Sequence, residues 1–184
     1  MSHSNASAAE LLVQHIDLIT DLEPQSGVLD LACGYGRNGL FLASHNVKVI
    51  FADNNMAALD VVSATLNERR WPGECWPVDL EDGSGPLNTH CFDAVIVFNY
   101  LHRPLFDALR AAIRPGGLIV YETFTVAQAS LGRPSNPDYL LQPGELVQHF
   151  PGWEVLHEFE GEEGKSGKPT RAIASLIARK PRTG

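Results

Sequence analysis

Basic residues are scarce in this sequence: 14 lysines and arginines stand against 22 acidic residues among 184, a formal net charge of -8. Such a surface repels a phosphate backbone unless a local basic patch intervenes. The basic clusters, Arg69 with Arg70 and Arg179 to Arg182, read as a helix end and a solvated terminus. Nucleic acid is therefore not an expected partner. Cysteine is also rare. Cys33, Cys75 and Cys91 lie far apart with no C-x-x-C spacing, which supports neither a zinc site nor a disulfide framework, so no metal is expected and the thiols read as reduced. No apolar run approaches the ~18 residues of a membrane span. The polar start Met1 to Ala9 lacks a signal-peptide core. These absences predict no membrane partner and a cytoplasmic address. They leave the choice between monomer and homodimer open.

What is present is enough apolar material, 44% of residues, for one domain over residues 1–184 with a substantial core, and too little for two. Leu11, Leu12, His15, Ile16 and Ile19 recur at helical spacing. They predict a lead-in helix within 8–22, closed by Glu23-Pro24 and packed on a sheet edge. Strand and helix patterns then alternate: strand 27–32, helix 37–45, strand 47–52, helix 56–70 capped by Asn54-Asn55, strand 74–78, strand 92–98, helix 104–113 and strand 118–123. From Asp79 to His90 the chain reads as a surface loop. From Val126 to Gln142 no period holds, and a connection this long predicts a lid or substrate loop over 125–142. Trp153 to Glu160 and Thr170 to Arg179 read as an antiparallel terminal hairpin. The expected fold is α/β: a doubly wound parallel sheet capped by that antiparallel hairpin.

The segment VLDLACGYGRNG, Val28 to Gly39, joins a buried-strand pattern to a glycine turn. Gly34, Gly36 and Gly39 have the G-x-G-x-x-G spacing of dinucleotide sites, a weak signal by itself. Asp30, four residues ahead of Gly34, changes its meaning. A helix start that cradles pyrophosphate favours negative charge on the ligand, whereas a carboxylate at the end of the first strand suits a ligand carrying positive charge.

That motif, the strand end VIFAD, the VDL after the third strand and the IRPGG before the fifth fall in order. Together they resemble the class I S-adenosylmethionine-dependent methyltransferases over residues 8 to 180, which implies a Rossmann-like, seven-stranded and mostly parallel sheet whose last two strands are the antiparallel C-terminal hairpin. FNYLHRPLF, VYETF and GRPSNPDYLLQPGEL are similar, more narrowly, to small bacterial methyltransferases grouped with the tellurite-resistance methyltransferases. The resemblance implies S-adenosyl-L-methionine as cofactor. It implies that Asp30 holds the methionine ammonium through ordered contacts and that the backbone of Ala32, Cys33 and Gly34 lines the cofactor, with Gly36, Arg37, Asn38 and Phe98 in the same set. Asp53 would accept the ribose hydroxyls, Asn54 and Met56 would flank the adenine, and Asp79 and Leu80 would read its edge. For Asp79 a loop-capping role is an equal alternative.

The acceptor side is expected at the end of the fourth strand, where Phe98 is followed by Asn99, Tyr100, Leu101 and His102. The Asn-Pro-Pro-Tyr of amino-group methyltransferases is absent, which argues against an amino-base acceptor. Asn99 and Tyr100 are the expected catalytic neighbours. His102 is either a general base or a helix-start histidine bonding backbone. Arg103 and Arg133 are candidates for an anionic substrate or for ordinary ion pairs. Glu122 and Tyr139 are candidates for the same pocket. The expected function is methyl transfer to a small-molecule acceptor. A non-catalytic cofactor-binding subunit and an NAD-dependent oxidoreductase are the alternatives.

Overall fold

The computed structural model describes residues 7–22, 25–165 and 168–182. Its strands are β1 (Val28–Leu31), β2 (Val49–Asp53), β3 (Gly73–Pro77), β4 (Phe92–Phe98), β5 (Ile113–Phe124), β6 (Glu154–Lys165) and β7 (Lys168–Arg179). They form a seven-stranded sheet in the order β3-β2-β1-β4-β5-β7-β6. Neighbours from β3 through to β5 run parallel, and β7 is antiparallel to both β5 and β6. The order reverses between β1 and β4, and an open α/β sheet forms its ligand crevice at the carboxyl ends of strands flanking such a switch.

The helices are α1 (Glu10–Gln14), α2 (Ile16–Thr20), α3 (Arg37–Ser44), α4 (Met56–Arg69), α5 (Phe106–Ala112), α6 (Gln128–Leu131) and α7 (Glu145–Gln148). Both faces of the sheet are covered. Val28, Val49, Phe51, Ile96, Val120 and Ile177 pack on one side with α1 to α4, while Leu29, Leu31, Val95, Val97 and Leu176 pack on the other with α5. Alternate residues of one strand thus enter different cores, which is why the central strands read as continuous apolar runs.

The lead-in helix expected over 8–22 is two short helices separated at His15, whose φ of -122° is not helical. Five-residue helices do not hold alone. Leu11, Leu12 and Ile19 anchor them in the core beside Leu118 and Val120, each buried side chain contributing ~1.5–3 kcal/mol. The pair therefore lies over a sheet face rather than on an edge. Its expected stop, Glu23-Pro24, falls outside the described residues.

The IRPGG segment also differs from expectation. It is the first part of β5, where Gly116 donates to the Lys180 carbonyl and Lys180 to that of Gly117. A Cβ at Gly117 would stand 2.5 Å from the Asp93 carbonyl oxygen. Asp93 itself is buried, accepts backbone N–H bonds from Ser26 and Gly27, and pairs with Arg114. Arg114 is thus a structural arginine that ties β4, β5 and the approach to β1.

Candidate functional site

β1 delivers the chain into a turn whose backbone is left-handed at Ala32 (φ 54°), Gly34 (φ 54°) and Gly36 (φ 72°) before α3 begins. A Cβ at Gly34 would meet nothing within 4 Å, whereas one at Gly36 would reach Val62 and Phe51. Gly34 therefore borders open space, and Gly36 and Gly39 serve packing. Asp53 closes the turn from the end of β2. Its Oδ2 accepts from the Gly34 N–H at 2.7 Å and its Oδ1 from the Asn55 N–H at 2.8 Å. Asp79, just past β3, accepts the Glu81 N–H at 2.9 Å and so caps its own loop. A cavity of about 200 Å³ lies between these strand ends, lined by Ala32, Asp53, Asn54, Asp79, Leu80 and Tyr100, with Val78 and Glu81.

A second cavity, about 650 Å³, opens beside it. Asn99, held at φ 56° where β4 ends, lines it together with Phe124, Arg133, Pro134, Asn136 and Tyr139. Asn99 and Tyr100 are consecutive, so the two cavities flank one stretch of backbone. One holds carboxylates and the other holds a guanidinium.

This arrangement has relatives. Residues 28–117 match the family model of a methyltransferase domain. TehB from Haemophilus influenzae superposes with a TM-score of 0.71 at 21% identity, over 90% of this chain and 62% of that one. The N-methyltransferase NodS from Bradyrhizobium japonicum WM9 superposes at 0.65 and 18% identity, over 92% and 96%. Hemagglutinin 1 of Eikenella corrodens is 25% identical over 166 residues, 83% of this chain and 54% of that protein, so the chain spans about half the length of that curated relative. The fold is that of the class I methyltransferases. The match to the domain stops at residue 117, which leaves most of the second cavity's wall beyond it.

Within the matched residues the strand ends Ala32, Asp53, Asn54, Asp79 and Leu80 converge on the smaller cavity. Phe98, Asn38 and Arg37, also expected at the cofactor, are engaged elsewhere. Phe98 is buried in the core. The Asn38 side chain accepts the Ala9 N–H at 2.8 Å, and Arg37 donates to the Ser7 carbonyl at 2.9 Å, so both pin the lead-in segment to α3. Met56 is 54% exposed at the start of α4. Burial pushes the Cys33 thiol far above its ordinary range, which keeps it protonated at neutral pH. Glu81 escaped sequence reading because it stands in a polar loop. Its carboxylate accepts from the Tyr100 hydroxyl at 3.0 Å and lies 3.8 Å from His102 Nδ1. Burial and the Glu81 bond raise the Tyr100 hydroxyl above its usual range, which makes it a donor at neutral pH. His102 lines neither cavity; its ring faces the Glu81 carboxylate at the smaller cavity's rim.

Asp30 is buried, and its Oδ2 accepts the Gly39 N–H at 2.8 Å. Burial pushes its carboxyl up to about 7, against the Gly39 bond and the Arg37 charge, which favour the carboxylate. A raised folded pKa means stability is complete below the unfolded value of 3.8 and falls as pH rises through about 7. Asp30→Asn, which keeps an acceptor for Gly39, is expected to raise the unfolding temperature at pH 8 and leave it unchanged near pH 4. Melting curves across that range check this, and a pH-independent difference would contradict it.

Two residues expected at the substrate are paired within the protein. Arg103 grips Glu145 through both carboxylate oxygens, at 2.7 and 2.9 Å, and donates to the carbonyls of Asp138 and Leu140. Its fork is filled by the protein. Glu122 is buried and paired with Arg171. Arg103 instead fixes the 125–142 loop, whose ends are also closed by the Val126 N–H to the Leu141 carbonyl and the Leu141 N–H to the Phe124 carbonyl. Burial disfavours ionisation of Glu145, but bonds from Arg103, the Gln142 N–H and His149 outweigh it and hold its carboxyl at about 2. The clamp's contribution is complete above the ordinary value of 4.5 and is lost as pH falls toward about 2. Arg103→Ala is expected to loosen Tyr139 and raise acceptor KM about tenfold while cofactor affinity stays within about twofold. Cofactor affinity falling in parallel with acceptor KM would contradict a positioning role.

Proposed function

We propose that this chain transfers a methyl group from S-adenosyl-L-methionine to a small-molecule acceptor by in-line displacement. The observation that carries the reading is the open turn at Gly34 closed by the Asp53 carboxylate, 2.7 Å from its N–H. A space bounded by Asp53, Asp79 and Glu81 suits a cationic ligand bearing hydroxyls and an exocyclic amine, and it repels the pyrophosphate of a dinucleotide. S-adenosylmethionine supplies, when bound, an electrophilic methyl on a sulfonium. The protein's part is placement. Asp53 receives the ribose hydroxyls, Asn54 and Met56 flank the adenine, and Asp79 and the Leu80 backbone hold its edge. Ala32, Cys33, Gly34 and Gly36 present backbone. Asp30 serves the ammonium through ordered contacts. Asn99 and Tyr100 form the wall between cofactor and acceptor. Orientation of this kind supplies ~7–11 kcal/mol of a barrier, so a dedicated base is unnecessary for an acceptor that arrives with its lone pair available. Cys33, Cys75 and Cys91 are free thiols, in keeping with a cytoplasmic setting, and no helix among the described residues is long and apolar enough to cross a membrane.

Calorimetric titration with S-adenosylmethionine, S-adenosylhomocysteine and NAD tests the cofactor. Binding of the first two and not the third is expected; NAD binding alone would overturn the reading. A screen with methyl-labelled cofactor across oxyanions, thiols and small carboxylates then tests turnover. Cofactor binding without turnover on any acceptor would point to a binding subunit.

A further inference from the structure

The second cavity differs in charge from the first. It contains no carboxylate and one cation, Arg133, among neutral hydrogen-bonding groups such as Asn99, Asn136 and Tyr139 and the apolar faces of Phe124 and Pro134. In a chain of net charge -8, Arg103, Arg114 and Arg171 are all paired with carboxylates. Among the described residues nothing takes the Arg133 guanidinium.

The position is built. Gln128 is buried, its Oε1 accepts the Ala172 N–H at 2.8 Å, and its Nε2 donates to the Arg133 carbonyl at 3.1 Å, which ties the arginine's backbone to β7. Tyr139 is held between the Asp138 and Leu140 carbonyls that Arg103 grips. The Asn136 side-chain oxygen accepts the Asp138 N–H, which leaves its amide nitrogen to donate. An unpaired planar guanidinium over such a cavity matches a carboxylate in two parallel bonds. A single cation balances a monoanion and leaves a dianion such as organic phosphate half-compensated. Two aromatic walls around about 650 Å³ want apolar area to cover, which a bare inorganic oxyanion lacks.

Resting on the methyltransferase reading, we infer that the second cavity seats the acceptor and that the acceptor is an organic carboxylate. Its anionic end lies on Arg133 and its apolar body lies between Phe124 and Tyr139. The test is a titration of the full chain with hexanoate, 3-phenylpropanoate, 3-phenylpropanamide and sulfate, in the wild type and in Arg133→Gln and Arg133→Lys. At least one carboxylate is expected to bind about tenfold or more tighter than the amide, a difference of ~1.4 kcal/mol. Arg133→Gln should erase that preference and Arg133→Lys restore part of it, with affinity for S-adenosylmethionine within about twofold throughout as the check on folding. Three results would each overturn the inference: no carboxylate binding at about 10 mM, a preference that survives Arg133→Gln, or sulfate binding as tightly as the carboxylates. Cofactor titration of the wild type keeps the two readings apart. Failure there sinks the methyltransferase reading and leaves a carboxylate site standing, whereas intact cofactor binding without carboxylate preference sinks only the acceptor class.

Discussion

Asp53→Ala is expected to weaken S-adenosylmethionine binding by at least about 100-fold. The carboxylate at the end of β2 is the group we assign to the ribose hydroxyls, and each charge-assisted bond contributes ~1.5–3 kcal/mol. Two such bonds lost exceed the ~2.7 kcal/mol that a hundredfold change represents. The same side chain accepts the Gly34 and Asn55 N–H groups at 2.7 and 2.8 Å, so its removal also leaves the glycine turn without its brace. These losses act on the same ligand and reinforce one another. The core beneath is untouched, since Phe51 and Ala52 keep their neighbours, and the unfolding temperature should fall by only a few degrees. Calorimetry beside a melting curve checks both halves. A protein that melts normally and still binds the cofactor within about fivefold of wild type would remove Asp53 from the site.

Gly39→Ala should be the most destabilising single methyl group in the opening motif. The added Cβ would stand 2.4 Å from Phe51 Cε1 and 2.6 Å from Asp30 Oδ2, and neither can yield, because Phe51 is fully buried and Asp30 is 3% exposed. α3 must move away from β1 and β2 to make room. Overpacking of this kind costs about 3 kcal/mol, which for a chain of this size lowers the unfolding temperature by roughly 6–12 °C. Gly34→Ala is the contrast. Its Cβ enters open space but adopts a φ of 54°, a left-handed strain of ~1–2 kcal/mol. It should melt only slightly early while losing cofactor affinity, because the methyl occupies the space proposed for the ligand. Equal melting losses for the two variants would mean that α3 slides freely on Phe51.

In the sequence those glycines are equivalent members of one spacing. The same limit applies to the arginines. Arg103 and Arg133 both read as candidates for an anion, yet one is filled by Glu145 and two carbonyls and the other lines a cavity with no partner among the described residues. The partners that decide between them lie 35 to 42 residues away from Arg103, beyond the reach of any local pattern. The partner of Glu122 was out of reach for the same reason, since Arg171 stands on β7, 49 residues on. The partner of His102 was hidden because Glu81 lies in a loop whose course the sequence leaves open.

The alternation of apolar runs and amphipathic stretches determined by itself the order of the elements, the parallel strands buried on both faces and the antiparallel hairpin. Hydrophobic burial and backbone hydrogen bonding act over a few residues and leave a period that can be read. The acids at the strand ends were legible too, because a parallel sheet puts consecutive strand ends at one edge. Tertiary structure alone decided which glycine packs and which stays open, which arginine clamps the loop and which faces the second cavity. Those choices depend on contacts between segments far apart in the chain, where one added methyl or one salt bridge selects among side chains that look alike in sequence.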